Sequence, residues 1–401
     1  MKKIHRCFLW FSFLSIFLQG CGERDDFMQH SELLSHNAVK ELYTIMYDYY
    51  LWYDNLPSVP LYYYNDPETL MEDVVYTPVD RWSFVSTVEE MKKYFETGAM
   101  IGYGVLFLTR DDDLWVGYLY DDSPLKKMGV KRGWRLQNVD GQKVNSSNLG
   151  DVIGDGQSHT LTFLDEDTSL KSVTASPSEV NINTVVYSSI IDIDSTKAGY
   201  MVLESFIEPS IAEINSVFSS FVAEGIDELI LDLRYNGGGL ISVAEHLGNS
   251  IAAQKTSGNI FFKYIFNDKQ SSSNEIIYFR NNDYNLGLNR LIVITTNNTA
   301  SASELVINGL KPYIDVVLVG TTTHGKPVGM IQYEYEEHAF LPVVFETVNA
   351  NDQGKFYDGI PVDVQAWDDY TKNWGDTTEA SLKAAIDYIR GVKSTSSPGF
   401  V

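Results

Sequence analysis

"TASASELVINGLKPYIDVVLVGTTTHGKPVG", residues 299–329, follows the apolar run "RLIVITT" at 290–296. Its first five residues are small and alternate between hydroxyl and methyl. They stand where a strand hands over to a helix, "LVINGLKPY", which leads into a second buried strand, "DVVLVG". Ser301-Ala-Ser-Glu304 has the pattern of a capping box, which satisfies free N–H groups at a helix start. A cap needs one hydroxyl, however, whereas a run of small residues lets another backbone come close. A hydroxyl at a helix N-terminus is also placed for nucleophilic attack, with the N–H of Ala302 aimed where an oxyanion would form.

Working outward, the texture from residue 198 is α/β. "GYMVLESF" reads as a strand, and "SIAEINSVFSSFVAEG" as an amphipathic helix opened by a capping box from Ser210 to Glu213 and closed near Gly225. "DELILDLR" reads as a buried strand, and the glycine turn and helix of "NGGGLISVAEHLGNSIAAQ" follow. Strands alternating with helices imply right-handed crossovers and a largely parallel sheet, whose chemistry collects at the C-terminal strand ends. Three loops lie there: "RYNGGG", "NNTASASE" and "TTTHGKPVG". A serine needs a base to become a nucleophile. Two candidates share the third loop, His324 and Lys326, the lysine becoming competent if burial lowers its pKa. The glycines of "NGGG" are contiguous and lack the spacing of a dinucleotide-binding loop.

The chain has 401 residues, 44% hydrophobic, enough for two or three packed domains. Its formal charge of -24, with no basic stripe, excludes a nucleic-acid partner. Residues 1–20 read as a targeting signal: Lys2, Lys3 and Arg6, then the twelve-residue apolar run "CFLWFSFLSIFL", too short for a stable span. The ending "LQGC" resembles the lipobox of bacterial lipoproteins. That resemblance implies lipidation of Cys21, anchorage to a bacterial membrane, the outer membrane being favoured, and exposure to the periplasm or cell surface. Loss of residues 1–20 removes three basic residues and Cys7, leaving -27 and Cys21 as the one cysteine. An internal disulfide, a Cys-based metal site and a catalytic thiol are thereby excluded. Residues 21–30, with Glu23, Asp25 and Asp26, read as a tether. Over 31–97 a helical N-terminal domain is expected, because Val39, Leu42, Met46, Tyr49 and Tyr53 recur at helical spacing before Pro57.

Residues 99–177 are β-rich with frequent turns. "SP", "GV", "G", "VDG" and "V" within "SPLKKMGVKRGWRLQNVDGQKV" resemble the second half of a PDZ domain. The resemblance implies that Gly102, Tyr103 and Gly104 form a loop binding a peptide's terminal carboxylate, while the peptide adds an edge strand. Trp134 departs from that pattern, standing where the family usually has a small acidic residue.

Residues 299–329, preceded by "LDLRYNGGG" (231–239) and "DRWSF" (80–84), are similar to the S41 peptidases, the C-terminal processing proteases and the tricorn core. The likeness implies a crotonase-like or ClpP-like βαβ core over 178–395 with a six-residue tail, a small β-rich PDZ-like domain and a helical cap: an α/β, α+β multi-domain chain. It implies Ser301 as nucleophile, Lys326 as general base, and an oxyanion hole from Ala302 N–H with Gly237 or Gly238. No metal or cofactor is required, and the partners are protein or peptide substrates. Processing proteases often place a glutamine four residues after the lysine. Met330 stands there, which leaves Gln332 as the candidate orienting residue and His324 as a cleft residue. Two non-enzymatic readings compete: an inactive peptide-binding lipoprotein of the same fold, and a glycan-binding surface lipoprotein suggested by 25 Tyr and 7 Trp.

Overall fold

The computed structural model describes residues 24–392, with side chains from residue 36 onward. The signal, Cys21 and the 396–401 tail lie outside the described residues. No described helix is long and apolar enough to cross a membrane. The chain forms two compact units, one of residues 99–182 with 370–373, the other of the remaining described residues. The β-rich unit thus runs five residues past the expected 177 and takes in a short return of the chain. The N-terminal helices cluster with the core and form no unit of their own.

In the larger unit the first helix, Arg24–Tyr49, begins inside the expected tether and meets no Gly or Pro along its length. It buries Val39, Leu42 and Met46 against Leu70 and Val74 of the helix Pro67–Val74, and against Phe340 and Val343. The aromatic crowding after it is largely core: Tyr50 is fully buried, while Tyr62 and Tyr63 face solvent.

The central sheet has six strands, ordered Val185–Ile193, Thr196–Leu203, Glu228–Asp232, Arg290–Thr295, Asp315–Gly320, Val364–Gln365. The first pair is an antiparallel hairpin and the rest are parallel. Both faces are covered, which is why these strands read as continuous apolar runs. Leu229, Leu231, Val293 and Leu318 pack beneath Phe218, Leu247 and Val306 of three helices. Ile230, Ile292, Ile294 and Val319 pack on the opposite face against Leu382, Ala385 and Ile386. In the helix Ser210–Glu224 the predicted capping box is absent. Pro209 occupies the cap, Ser210 Oγ accepts Ile207 N–H, and Glu213 reaches Val185 N–H at 2.7 Å. Gly225 closes this helix in the left-handed region.

The smaller unit is an antiparallel sheet ordered Val105–Arg110, Asp113–Leu119, Arg135–Val139, His159–Leu164, Leu170–Ala175. Leu114, Val116, Leu136, Leu161 and Phe163 fill its core. Trp134 is buried there and its indole N–H donates to Glu166 at 2.5 Å. The "VDG" turn holds Asp140 at φ 50° and Gly141 at φ 80°, as a two-residue hairpin turn demands.

Candidate active site

The parallel register sets Asp232 beside Ile294 and Thr295 beside Gly320, so the loops that leave these three strands emerge as neighbours. The small residues of 299–303 stitch them together. Thr299 Oγ1 donates to Leu233 O at 2.8 Å, Ala300 N–H to Asn236 O at 3.1 Å, and Ser303 Oγ to the same oxygen at 3.1 Å. The hydroxyls bind the glycine turn and the intervening alanines let it approach.

Ser301 caps the helix Ala302–Leu310 at φ 56°, ψ -115°, a conformation a non-glycine residue adopts only when its surroundings hold it there. A Cβ placed on Gly238 would come within 2.7 Å of Ser301 Cβ and 2.9 Å of Ala302 N, so glycine is required where the turn meets the serine. Ala302 N–H lies in the first turn, where a helix offers no acceptor, and it has none among the described residues. Gly238 N–H already donates to Asn236 Oδ1 at 2.8 Å. Gly237 N–H, in an exposed position, has no acceptor among the described residues, so of the two glycines it is the one left to serve an oxyanion.

Glu304 does more than cap. Its buried carboxylate accepts Ser301 N–H at 3.0 Å and Lys326 N–H at 2.8 Å on one oxygen, and Gly325 N–H at 2.8 Å and Thr323 Oγ1–H at 2.6 Å on the other. Burial raises its pKa and these hydrogen bonds oppose the rise. Four donors fit an ionised carboxylate, which has acceptors only. One oxygen therefore holds the main chains of both candidate catalytic residues. His324 N–H donating to Thr299 O at 2.9 Å ties the same two loops a second time.

Lys326 keeps some solvent contact, yet protein surrounds it closely enough that burial lowers its pKa from 10.5 to about 8, partly opposed by Asp80 and Glu304. Its amine makes no hydrogen bond to Ser301 Oγ among the described residues and faces the Met330 thioether at 4.0 Å. Gln332 does not orient it. That side chain is exposed and donates to Glu334 at 2.8 Å. His324 Nε2 accepts the Trp82 indole N–H at 3.1 Å, and burial, then the Arg81 charge, lower its pKa. Its ring is engaged with Trp82 and makes no hydrogen bond to Ser301 among the described residues. Gly102, Tyr103 and Gly104 lie in the smaller unit. Tyr103 is buried, with its carbonyl accepting Ser123 Oγ at 2.7 Å, and Gly104 adopts φ 61°. Among the described residues no group of three or more His, Cys, Asp or Glu could hold a metal ion.

Sequence reasoning missed the wider roles of Glu304, Asn236 and Thr323. Asn236 is legible as an Asx turn before glycine. The Glu304 hub is legible only in its capping-box partner Ser301, because Thr323, Gly325 and Lys326 lie 19 to 22 residues away.

The chain is 23% identical over 269 residues to a probable CtpA-like serine protease of Staphylococcus aureus (strain N315), covering 65% of this chain and 52% of that protein. A Staphylococcus haemolyticus (strain JCSC1435) relative of the same description is 22% identical over 282 residues. The chain spans about half the length of these curated relatives. In fold it is similar to an S41 protease from Bacteroides fragilis NCTC 9343, with TM-score 0.73, 23% identity and coverage of 88% of this chain and 98% of that one. It is also similar to the photosystem II D1 C-terminal processing protease, with TM-score 0.51, 18% identity and coverage of 82% and 92%. The model of the peptidase S41 N-terminal domain matches residues 39–84 and that of peptidase family S41 matches 197–366. Together these matches take in more than half of the sequence, and the chain belongs to peptidase family S41.

Proposed function

We propose that this chain is a serine endopeptidase working through a Ser-Lys dyad. Neutral Lys326 takes the proton from Ser301, whose oxygen attacks a peptide carbonyl. Ala302 N–H and Gly237 N–H hold the oxyanion, and Lys326 then protonates the leaving amine. The observation that carries this reading is the single Glu304 oxygen bound to the amides of both residues, beside two main-chain donors with no internal acceptor. The absence of a Ser301–Lys326 hydrogen bond favours one alternative, a peptide-binding scaffold that has lost catalysis. Such bonds are often long without substrate and tighten in the complex. Cleavage of casein by the purified chain, with covalent labelling by a serine-reactive acylating probe, separates the two. The scaffold predicts neither.

We further propose that the smaller unit captures substrate carboxyl termini. The 102–104 loop leads into Val105–Arg110, an edge strand whose outer side is unpaired within its sheet, and Tyr103 and Gly104 N–H have no acceptor among the described residues. A peptide adding there would pair as a further strand, its carboxylate on those amides. A peptide with a free C-terminus is expected to slow casein cleavage, and its C-terminally amidated form to do so at least about tenfold less well. Equal potency of the two would rule out carboxylate capture.

Cys21 is proposed as the lipidated residue that holds the protein in the cell envelope, on the "LQGC" stretch. Metabolic labelling with a fatty-acid analogue should mark the wild type and leave Cys21→Ser unmarked; labelling of both would refute the anchor.

A further inference from the structure

The turn that carries Gly237 is gripped by a segment more than a hundred positions further along the chain. Arg234, three residues before that glycine, is 1% exposed and faces three carboxylates. Its Nε and Nη2 donate to Asp232 at 3.0 and 2.8 Å, and its Nη1 and Nη2 donate to Glu379 at 2.9 and 3.1 Å. Nη1 also donates to Asp368 Oδ1 at 2.8 Å, and the hydroxyl of the next residue, Tyr235, donates to Asp368 Oδ2. Trp374 packs on both residues, 5.3 Å from the Arg234 guanidinium and edge-on to the Tyr235 ring. Glu379 roots this grip. Its oxygens also accept Asp369 N–H at 3.0 Å and Leu382 N–H at 2.8 Å, the second bond capping the helix Ala380–Ile389, whose Leu382, Ala385 and Ile386 are buried against the central sheet.

A buried guanidinium needs a counter-charge, and Asp232 and Glu379, both buried, supply it. Asp368, whose side chain is 17% exposed, is surplus to that neutralisation. What it adds is geometric, since one carboxylate joins the side chains of two successive residues. The serine loop holds the main chain of the same turn, with Thr296 Oγ1 donating to Arg234 O and Ala300 N–H donating to Asn236 O at 3.1 Å. We propose that Asp368 is a positioning residue for the oxyanion donor Gly237: by holding Arg234 and Tyr235 together it fixes the 234–237 turn, and with it the direction of the Gly237 N–H. This inference rests on the Ser-Lys reading with Gly237 as donor, and it gives the C-terminal segment a part in the chemistry.

Asp368→Ala leaves Arg234 paired with Asp232 and Glu379, so no buried charge is stranded and the fold should hold. Loss of a whole oxyanion donor costs about 10²–10³-fold in turnover, and a donor that is misaimed should cost about tenfold. Such a donor acts on the transition state, so the loss belongs in kcat, with KM changed by less than about twofold. The base is untouched, so the acid limb of the pH profile should stay where Lys326 sets it. Tyr235→Phe keeps the half-buried ring against Trp374 and removes only the bond to Asp368. It should show the same pattern at about threefold.

In the purified full chain, the test measures kcat and KM on labelled casein, with the rate and end point of serine labelling by a β-lactone acylating probe. Acylation of Ser301 by the probe also develops an oxyanion, so slower labelling to an unchanged end point is expected in both variants. A merely structural role would instead lower the end point, as part of the protein loses its site, and leave the labelling rate of the remainder unchanged. That pattern overturns the assignment, as do wild-type kcat and labelling rate in folded Asp368→Ala. If Asp368→Ala does not fold, Tyr235→Phe decides alone by the same readouts. In each of these cases an inactive Ser301→Ala leaves the dyad standing. Full activity of Ser301→Ala overturns the dyad itself.

Discussion

Ser301→Ala is expected to lower casein kcat/KM by at least about 10⁴-fold without loss of fold, because members of a catalytic unit fail together when one is removed. The substitution deletes Oγ and little else. Ser301 donates to Glu304 through its backbone N–H, which alanine keeps, and its carbonyl still accepts Leu305 N–H at 2.8 Å. The backbone at φ 56° costs about 1–3 kcal/mol for any residue with a Cβ, so alanine neither adds nor relieves that strain. A melting temperature close to wild type, together with loss of cleavage and of acyl-probe labelling, would locate the effect in the chemistry. Residual cleavage at the wild-type rate in a protease-free preparation would end the assignment.

Lys326→Met should reduce cleavage by at least about 10³-fold and yet make the protein more stable at neutral pH. The amine's pKa in the fold is about 8, against an ordinary 10.5. The difference corresponds to about 3 kcal/mol of stability forgone whenever the unfolded lysine is charged and pH is below both values. Between about 8 and 10.5 the unfolded chain binds a proton that the folded chain does not, so wild-type stability rises with pH through that window. A thioether of similar length removes the ammonium and should flatten the rise. Denaturant unfolding of both proteins at pH 7 and 10 tests this. Equal stability differences at the two values would mean that the amine is ordinary and well solvated. Wild-type activity has the matching form: as the neutral amine is the base, kcat/KM should fall below pH 8, with roughly a tenth of the lysine competent at pH 7.

The elements near the site differ in how legible they are. The strands 228–232, 290–295 and 315–320 are plain in the sequence because burial on both faces demands unbroken apolar runs. The helix 302–310 follows from its cap and its position between two such runs. The capping box at Ser210 fails because Pro209, already at a helical φ, occupies the cap and frees Glu213 to bind a neighbouring strand. The first helix starts earlier than the tether reading allows, since charge alone does not end a helix that meets no Gly or Pro. Gln332 misleads for a related reason. Spacing along the chain sets how far a residue can reach but not which way its side chain leaves the strand, and this one leaves toward Glu334.

By itself the sequence determined the parallel core, the three strand-end loops and the residue types on them, because periodicity and local turn chemistry act over a few positions. Tertiary structure alone decided which groups meet: Glu304 with both loops, Gly238 against Ser301, and Trp82 against His324 across 242 positions. Those pairings depend on packing and burial, which also lower the pKa of Lys326, and neither is set by any short stretch of chain.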